Sequence, residues 1–394
     1  PPPLSPPLPP DLSFSAIDIS GAVSSARKYV GAALTSGLVV FAPADADSVG
    51  TLELSSRTFT TLDISASISG VSKYDGAAVA NGRVYFAPSR SETVGVYDPV
   101  EGLFSTVDVS VALAQGSALS IGTASASDFP GGRFSGAVTA SNGQVIFVPR
   151  WGDAVGVFEP VGQTLSLSSV GAGLSNSERF AGGAALDDGR VVFAPYDAEA
   201  VGIFDALVGV FSSVNISGVG GVGGVAKYAG AAATAGGVVV FAPFNADSVG
   251  VFDSTSLAFS TVDISSTISS SGKYVGAAVA SSGVVIFSPF NADGVGVFDP
   301  ASLAFSTVAV SPSVGSGARY AGAVMAVGSG LVMLAPYGAS AVGAFAVTPA
   351  PPSPPPSPPL PPPPQPTRPP LLPPAAPPPL SPPLPPDLSF SAID

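Results

Sequence analysis

The sequence contains no cysteine and no histidine, and only 10% of its 394 residues are charged. The two missing residue types exclude a thiolate nucleophile, a disulfide, a Cys/His zinc site, a His- or Cys-ligated haem and a Ser-His-Asp triad. Without cysteine, redox compartment leaves no mark on the chain. Basic residues are scarce, 14 Lys and Arg against 27 Asp and Glu, for a net charge of −13. Such a chain is a poor partner for nucleic acid or an anionic membrane surface. No apolar run is long enough to span a bilayer. The low charge comes with 46% apolar residues, which sets the chain apart from a typical disordered sequence and provides material for a core.

What is abundant is glycine and proline, 46 and 43 residues, and the proline is unevenly spread. Residues 1–10 hold seven prolines, residues 349–386 hold 24, and the 338 residues between them hold 12. This pattern predicts a folded body flanked by proline-rich segments. Residues 1–18, PPPLSPPLPPDLSFSAID, recur unchanged as residues 377–394. The expected organisation is therefore a proline-rich linker end (1–12), a folded body (13–348), a polyproline II linker (349–387) and the start of a next tandem period (388–394).

The body repeats itself, and that period predicts the fold. A basic residue, an aromatic, any residue and then glycine recur at Lys28-Tyr29, Lys73-Tyr74, Arg133-Phe134, Arg179-Phe180, Lys227-Tyr228, Lys273-Tyr274 and Arg319-Tyr320. The steps are 45, 60, 46, 48, 46 and 46 residues, the long one carrying an insertion within residues 111–132. Each unit shows four strand-like runs, seen in residues 227–235 (a), 238–243 (b), 248–253 (c) and 259–265 (d). Proline follows strand b at 43, 88, 149, 195, 243, 289 and 336, where its missing N–H suits a strand end. Four antiparallel strands repeated seven times predict an all-β, seven-bladed β-propeller. The last unit lacks a d strand, whereas Phe14–Ser20 is a d strand with no a, b or c of its own. The N-terminal segment is thus expected to close blade seven and remove an open sheet edge.

The unit resembles the Kelch family of propellers. That resemblance rests on the apolar b strand, on Val-Tyr-Asp-Pro (96–99) and Val-Phe-Asp-Pro (297–300) ending strand c, and on Phe59, Phe104, Phe211, Phe259 and Phe305 opening strand d. Ala-Pro stands where Kelch repeats carry a Gly-Gly doublet, and Phe where they carry the Trp of strand d. The resemblance implies the architecture, and no partner or activity is carried over from it.

Charged residues fall in register. Lys28, Lys73, Arg133, Arg179, Lys227, Lys273 and Arg319 open strand a, while Asp47, Glu92, Asp153, Glu199, Asp247 and Asp293 lie in the b–c loops, with Ser340 in the seventh. In an a-b-c-d meander the d–a and b–c loops share a face. The pattern predicts a belt of exposed ion pairs between loops, each contributing about 0–1 kcal/mol. No catalytic, cofactor or metal site is expected. The carboxylate pairs Asp45/Asp47, Asp187/Asp188 and Asp197/Glu199 read as turn acids, and the GxGxxG match at 218–223 has no helix after it. The sole Trp, Trp151, lies in the blade-three b–c loop beside the insertion and marks a possible contact patch. Asn215-Ile-Ser217 is a glycosylation sequon on an outermost strand.

The proline tract reads as a polyproline II spacer of roughly 120 Å at ~3.1 Å per residue. Its Ser-Pro-Pro runs resemble the hydroxyproline-rich glycoproteins of plant and green-algal walls. That resemblance implies O-linked sugars on Ser353, Ser357 and Ser381 and hydroxylation of Pro354, Pro355, Pro356, Pro358 and Pro359. The expected function is structural, not enzymatic: a repeat unit of an extracellular, glycosylated fibre or wall assembly that associates through its tandem periods. The alternative is a multivalent carbohydrate- or protein-binding adhesin.

Overall fold

The computed structural model describes residues 11–115, 132–171, 174, 178–348 and 374–383. The chain divides into two units, Pro1–Pro351 and Pro352–Asp394. In the second unit the described residues, 374–383, are exposed and carry neither strand nor helix. The remaining linker residues, with Ser353, Ser357, Pro354, Pro355, Pro356, Pro358 and Pro359, lie outside the described residues.

The first unit is a seven-bladed β-propeller. Its described residues form 28 strands in seven four-stranded antiparallel sheets. Blade one comprises Tyr29–Thr35, Leu38–Pro43, Ser48–Glu53 and Thr58–Asp63 from the axis outward. The other blades repeat that order. Among the described residues, helix is confined to Ser110–Gln115 (α1), at the start of the blade-three insertion, and the single turn Pro312–Val314.

Burial falls from the inner strands to the outermost one in the way the composition requires. Strand b is sandwiched between neighbouring blades on both faces. Val238–Pro243 is accordingly buried along almost its whole length and almost wholly apolar. Strand d lies at the rim with one face in solvent, so Ala258–Asp263 has only exposed and half-buried positions.

Aromatic side chains fill the middle of most blades. In blade one, Tyr29, Phe41 and Phe59 from strands a, b and d meet with centroids 5.7–6.4 Å apart. The c-strand residue beneath them is Gly50, where a Cβ would lie 2.7 Å from the Tyr29 ring. The same arrangement recurs with Tyr228, Phe241 and Phe259 over Gly250.

A second set of glycines meets at the axis. Gly31, Gly76, Gly136, Gly182, Gly230, Gly276 and Gly322 all have positive φ, between 82° and 116°. A Cβ on each would come within 2.6–3.1 Å of the Cα of the next, and Gly322 returns to Gly31 at 2.6 Å. Each strand a shifts register against strand b at this point, as between Tyr29 and Ala32. Seven inner strands can therefore converge only because these positions carry no side chain.

Blade seven closes as expected from the orphan strand. Asp11–Asp18 pairs antiparallel with Ala341–Thr348 in eight registered positions, from Asp11↔Thr348 to Asp18↔Ala341. Phe14 supplies the d-strand aromatic of this blade, 6.2 Å from Tyr320. The strand begins at Asp11, so two residues assigned from sequence to the linker take part in the ladder.

A Gly322→Ala substitution is expected to cost about 4 kcal/mol or more, because its Cβ meets backbone. Gly328→Ala, at a turn with similar φ but nothing within 4 Å, should cost only about 1–2 kcal/mol. Urea unfolding of the two variants measures the difference; equal costs would show that the axis has room.

Candidate functional site

Each of the seven basic anchors sits where one blade meets the next, and its backbone comes first in the geometry. The anchor N–H donates to the carbonyl of the residue after the strand-b proline in the preceding blade, as in Lys73 to Ala44 at 2.9 Å. That residue's own N–H donates to the anchor carbonyl of its own blade, as in Ala44 to Lys28 at 2.9 Å. Fourteen such bonds of 2.8–3.0 Å run round the ring and close through Lys28 to Tyr337 and Tyr337 to Arg319. In blades four to six a second staple lies beside it. The side-chain oxygens of Asp197, Asn245 and Asn291 accept the N–H groups of Ala226, Gly272 and Ala318 at 2.7–2.9 Å. Asp45 does the same for Ser72 at 2.7 Å, while also pairing with Arg27 at 2.9 Å.

The side chains of the anchors correct the expectation of exposed pairs. Lys28, Lys73, Arg133, Arg179, Lys227, Lys273 and Arg319 are all buried, at 0–7% exposure. Their charge is met largely by backbone carbonyls. Lys273 Nζ donates to Ser270 at 2.8 Å and Asn245 at 3.3 Å, and Arg319 donates to Gly315 and Ala292, both at 2.8 Å. The acids stand outside these cations. Asp47, Glu92, Asp153, Asp247 and Asp293 pair with Lys73, Arg133, Arg179, Lys273 and Arg319 of the following blade. Lys227 turns to the carbonyls of Asp197 and Gly224 at 3.0 and 3.2 Å, with Glu199 within electrostatic reach. Lys28, opposite Ser340, donates to Gly338 at 3.4 Å. Burial holds the Lys28, Lys227 and Lys273 ammonium groups below the usual lysine range.

The asymmetric features are fewer. Trp151 is half-buried, its carbonyl accepts from Arg179 at 3.4 Å, and its indole N–H is buried without an acceptor among the described residues. Asn215 is exposed, and its side-chain oxygen accepts from Ser217 N at 2.8 Å. Asp18, Asp63, Asp108 and Asp263 make the same bond to Ser20, Ser65, Ser110 and Ser265 at 2.8–2.9 Å. The sequon is therefore also a recurring Asp-x-Ser turn in which one Asp is Asn. Ser381 is exposed.

Two cavities lie among the described residues. A crevice of about 440 Å³ lies between the a–b and c–d turns of blade two and the c–d turn of blade three, with Asn81, Arg83, Asp98, Glu101 and Gln163 in its wall. A smaller cavity of about 90 Å³ lies on the axis, lined by the seven glycines and the residue preceding each. Asp75 is one of those residues, and sequence reasoning passed over it. The signal was available, since it alone is charged among the seven third positions of the anchor. Desolvation raises its pKa to about 7, with Arg150 acting in the opposite direction.

No known protein-family model matches the chain, and no curated protein matches its sequence. Solved structures match its fold. Virginiamycin B lyase from Staphylococcus aureus aligns over 86% of this chain and 100% of its own at 12% identity, with a TM-score of 0.66. A streptogramin B lyase aligns over 86% and 98% at 14% identity, with a TM-score of 0.64. The WD40 repeats of RRP9 align over 85% and 100% at 10% identity, with a TM-score of 0.61. At these identities the likeness shows the propeller fold alone. No helix among the described residues is long and apolar enough to cross a membrane.

Lys273→Ala should cost about 2–3 kcal/mol by stranding buried carbonyls. Asp247→Ala, at the 58%-exposed end of the same pair, should cost under about 1 kcal/mol. Chemical denaturation decides, and equal costs would restore the expectation of an ordinary surface pair. For Asp75, the folded chain holds its proton between about pH 4 and pH 7 while the unfolded chain has lost it. Stability therefore falls as pH rises across that window. In tetramethylammonium buffer, Asp75→Asn should be more stable than the parent at neutral pH, with the gap closing towards pH 4. Melting curves across pH measure it, and a constant gap would contradict the assignment.

Proposed function

We propose that the chain is a structural repeat unit of an extracellular, glycosylated fibre or cell-wall assembly, in which propellers are carried on polyproline spacers. The observation that carries this reading is the pairing Asp11↔Thr348. The first and last residues of the folded body are antiparallel neighbours, about 5 Å apart. The chain therefore enters the folded body at Asp11 and leaves it at Thr348, at one end of a single strand pair. The recurrence of residues 1–18 at 377–394 supports a tandem array of such propellers. The Kelch-like reading of the unit and the hydroxyproline-rich reading of the tract belong to the same proposal. Ser381 and Asn215 are exposed, as glycan attachment requires.

The fold likeness to the lyases does not favour an enzyme. A histidine-to-alanine form of the S. aureus lyase is catalytically inactive, and this chain has no histidine. The second reading, a multivalent binding module, draws on the 440 Å³ crevice between blades two and three, a size in the range of ligand pockets. On this reading the contact surface moves to the face opposite Trp151.

The two linkers leave from the same end of one strand pair, so tension peels Asp11–Asp18 from Ala341–Thr348 one residue pair at a time. Force spectroscopy on two joined periods should show blade seven opening first, at low force, followed by the other blades. Intact mass of native material should exceed the polypeptide mass in hydroxyl and pentose or hexose increments. Bare prolines and a body that resists force as one shearing unit would contradict the fibre reading.

A further inference from the structure

The third residue of the anchor lines the axial cavity in every blade. At five of these positions the side chain is Val or Ala; the exceptions are Ser135 and, on the neighbouring blade, Asp75. Shape alone does not call for a carboxylate there, since Ala serves at Ala181, Ala229 and Ala321. Asp75 is 3% exposed, and its Oδ2 atom has no hydrogen-bond partner among the described residues. A buried carboxylate left in this state is costly and calls for a compensating charge or donor.

Arg150 acts on it as an opposite charge and Ser135 donates a hydrogen bond, yet Oδ2 keeps no donor of its own among the described residues. The Arg150 guanidinium bonds Glu178 at 2.9 Å and lies 4.4 Å over the Tyr196 ring, and Arg27 bonds Asp45 at 2.9 Å. Each of these cations thus has a carboxylate other than Asp75 in direct contact. Arg150 and Glu178 act on Asp75 with opposite sign, Ser135 presents a hydroxyl beside it, and Tyr337 feels its charge. Above about pH 7, where Asp75 is ionised, it and Glu178 share the single charge of Arg150, which leaves the cluster one negative charge in excess. A volume of about 90 Å³ holds roughly three waters at about 30 Å³ each. Among the described residues no group of three or more acids could hold a metal ion, so the site lacks the several carboxylates that a Ca²⁺-type ion gathers.

The geometry points to a binding site on the propeller axis for a small monovalent cation, either an alkali-metal ion or the ammonium group of a primary amine, with Asp75 as its counter-charge and Ser135 beside it. The glycines that bring seven strands together leave the room, and one substitution in one blade supplies the charge. Such a site would make the stability of the ring depend on the ions around it, independently of whether the propellers form a fibre.

The test is thermal unfolding of the full chain at about pH 8 and fixed ionic strength. Tetramethylammonium chloride is replaced stepwise by NaCl, KCl or methylammonium chloride. The four methyl groups of tetramethylammonium keep its charge away from direct contact with a carboxylate. At tenfold excess over the dissociation constant, a bound cation should raise Tm by about 2–4 °C, with saturation. The rise should vanish in both Asp75→Asn and Asp75→Ala; the latter installs the residue that three other blades already carry. A response to Na⁺ or K⁺ identifies a metal-ion site, and a response to methylammonium alone identifies an amine site. An equal rise in the variants, no rise with any of the three salts, or a rise only with divalent ions would overturn the proposal.

Discussion

Seven strands meet at the axis with backbone nearly touching backbone, and most of the structure follows from that contact. A methyl group on any of the seven glycines would lie within 3.1 Å of its neighbour's Cα. The approach sets the inner radius. The radius sets where the anchor residues of adjacent blades face each other, and there the closed belt of backbone hydrogen bonds forms. A ring built in this way holds its geometry only when all sectors are present. The N-terminal strand is therefore part of the constraint, since it completes the seventh.

The belt also accounts for the buried cations. A lysine or arginine at a blade junction reaches carbonyls of the preceding b–c loop that the turn itself leaves open. Its acid partner, where one exists, sits outside in solvent and contributes little. The sectors at Lys28 and Lys227, where no ion pair forms among the described residues, keep the carbonyl contacts and the same backbone bonds. Repetition across all seven junctions marks this as construction. The departures from repetition are where binding is to be sought: Asp75 on the axis, the crevice between blades two and three, and Trp151.

Much of this was legible in the residues. The anchor spacing, the strand-b prolines and the unmatched Phe14–Ser20 segment led to seven blades and to their closure, because a repeat reports its own period. The burial of the cations was not legible, since a charge at a loop reads as solvated until the neighbouring blade is in place. The pairing of each strand-a aromatic with the first residue of strand c was also present and unread. Tyr29, Tyr74 and Tyr228 face Ser48, Thr93 and Ser248 at 3.1–3.5 Å, whereas Phe134 and Phe180 stand in blades with Ala154 and Ala200 there. Tyr274 and Tyr320 break the rule, with Gly294 and Ala341 in that place, and their hydroxyls are buried without partners among the described residues. Asp75 was overlooked because the third anchor position looked unconstrained, and its place on the axis emerges only from the packing of the inner strands.

The central claim is that the ring is sealed in one chain by the N-terminal strand. Amide hydrogen exchange at the Lys28 N–H, the belt bond between blades seven and one, tests it most directly. A sealed ring predicts that Lys28 exchanges as slowly as Lys273, its counterpart between blades five and six. Exchange at Lys28 on the timescale of the surface turns, with Lys273 still protected, would contradict it.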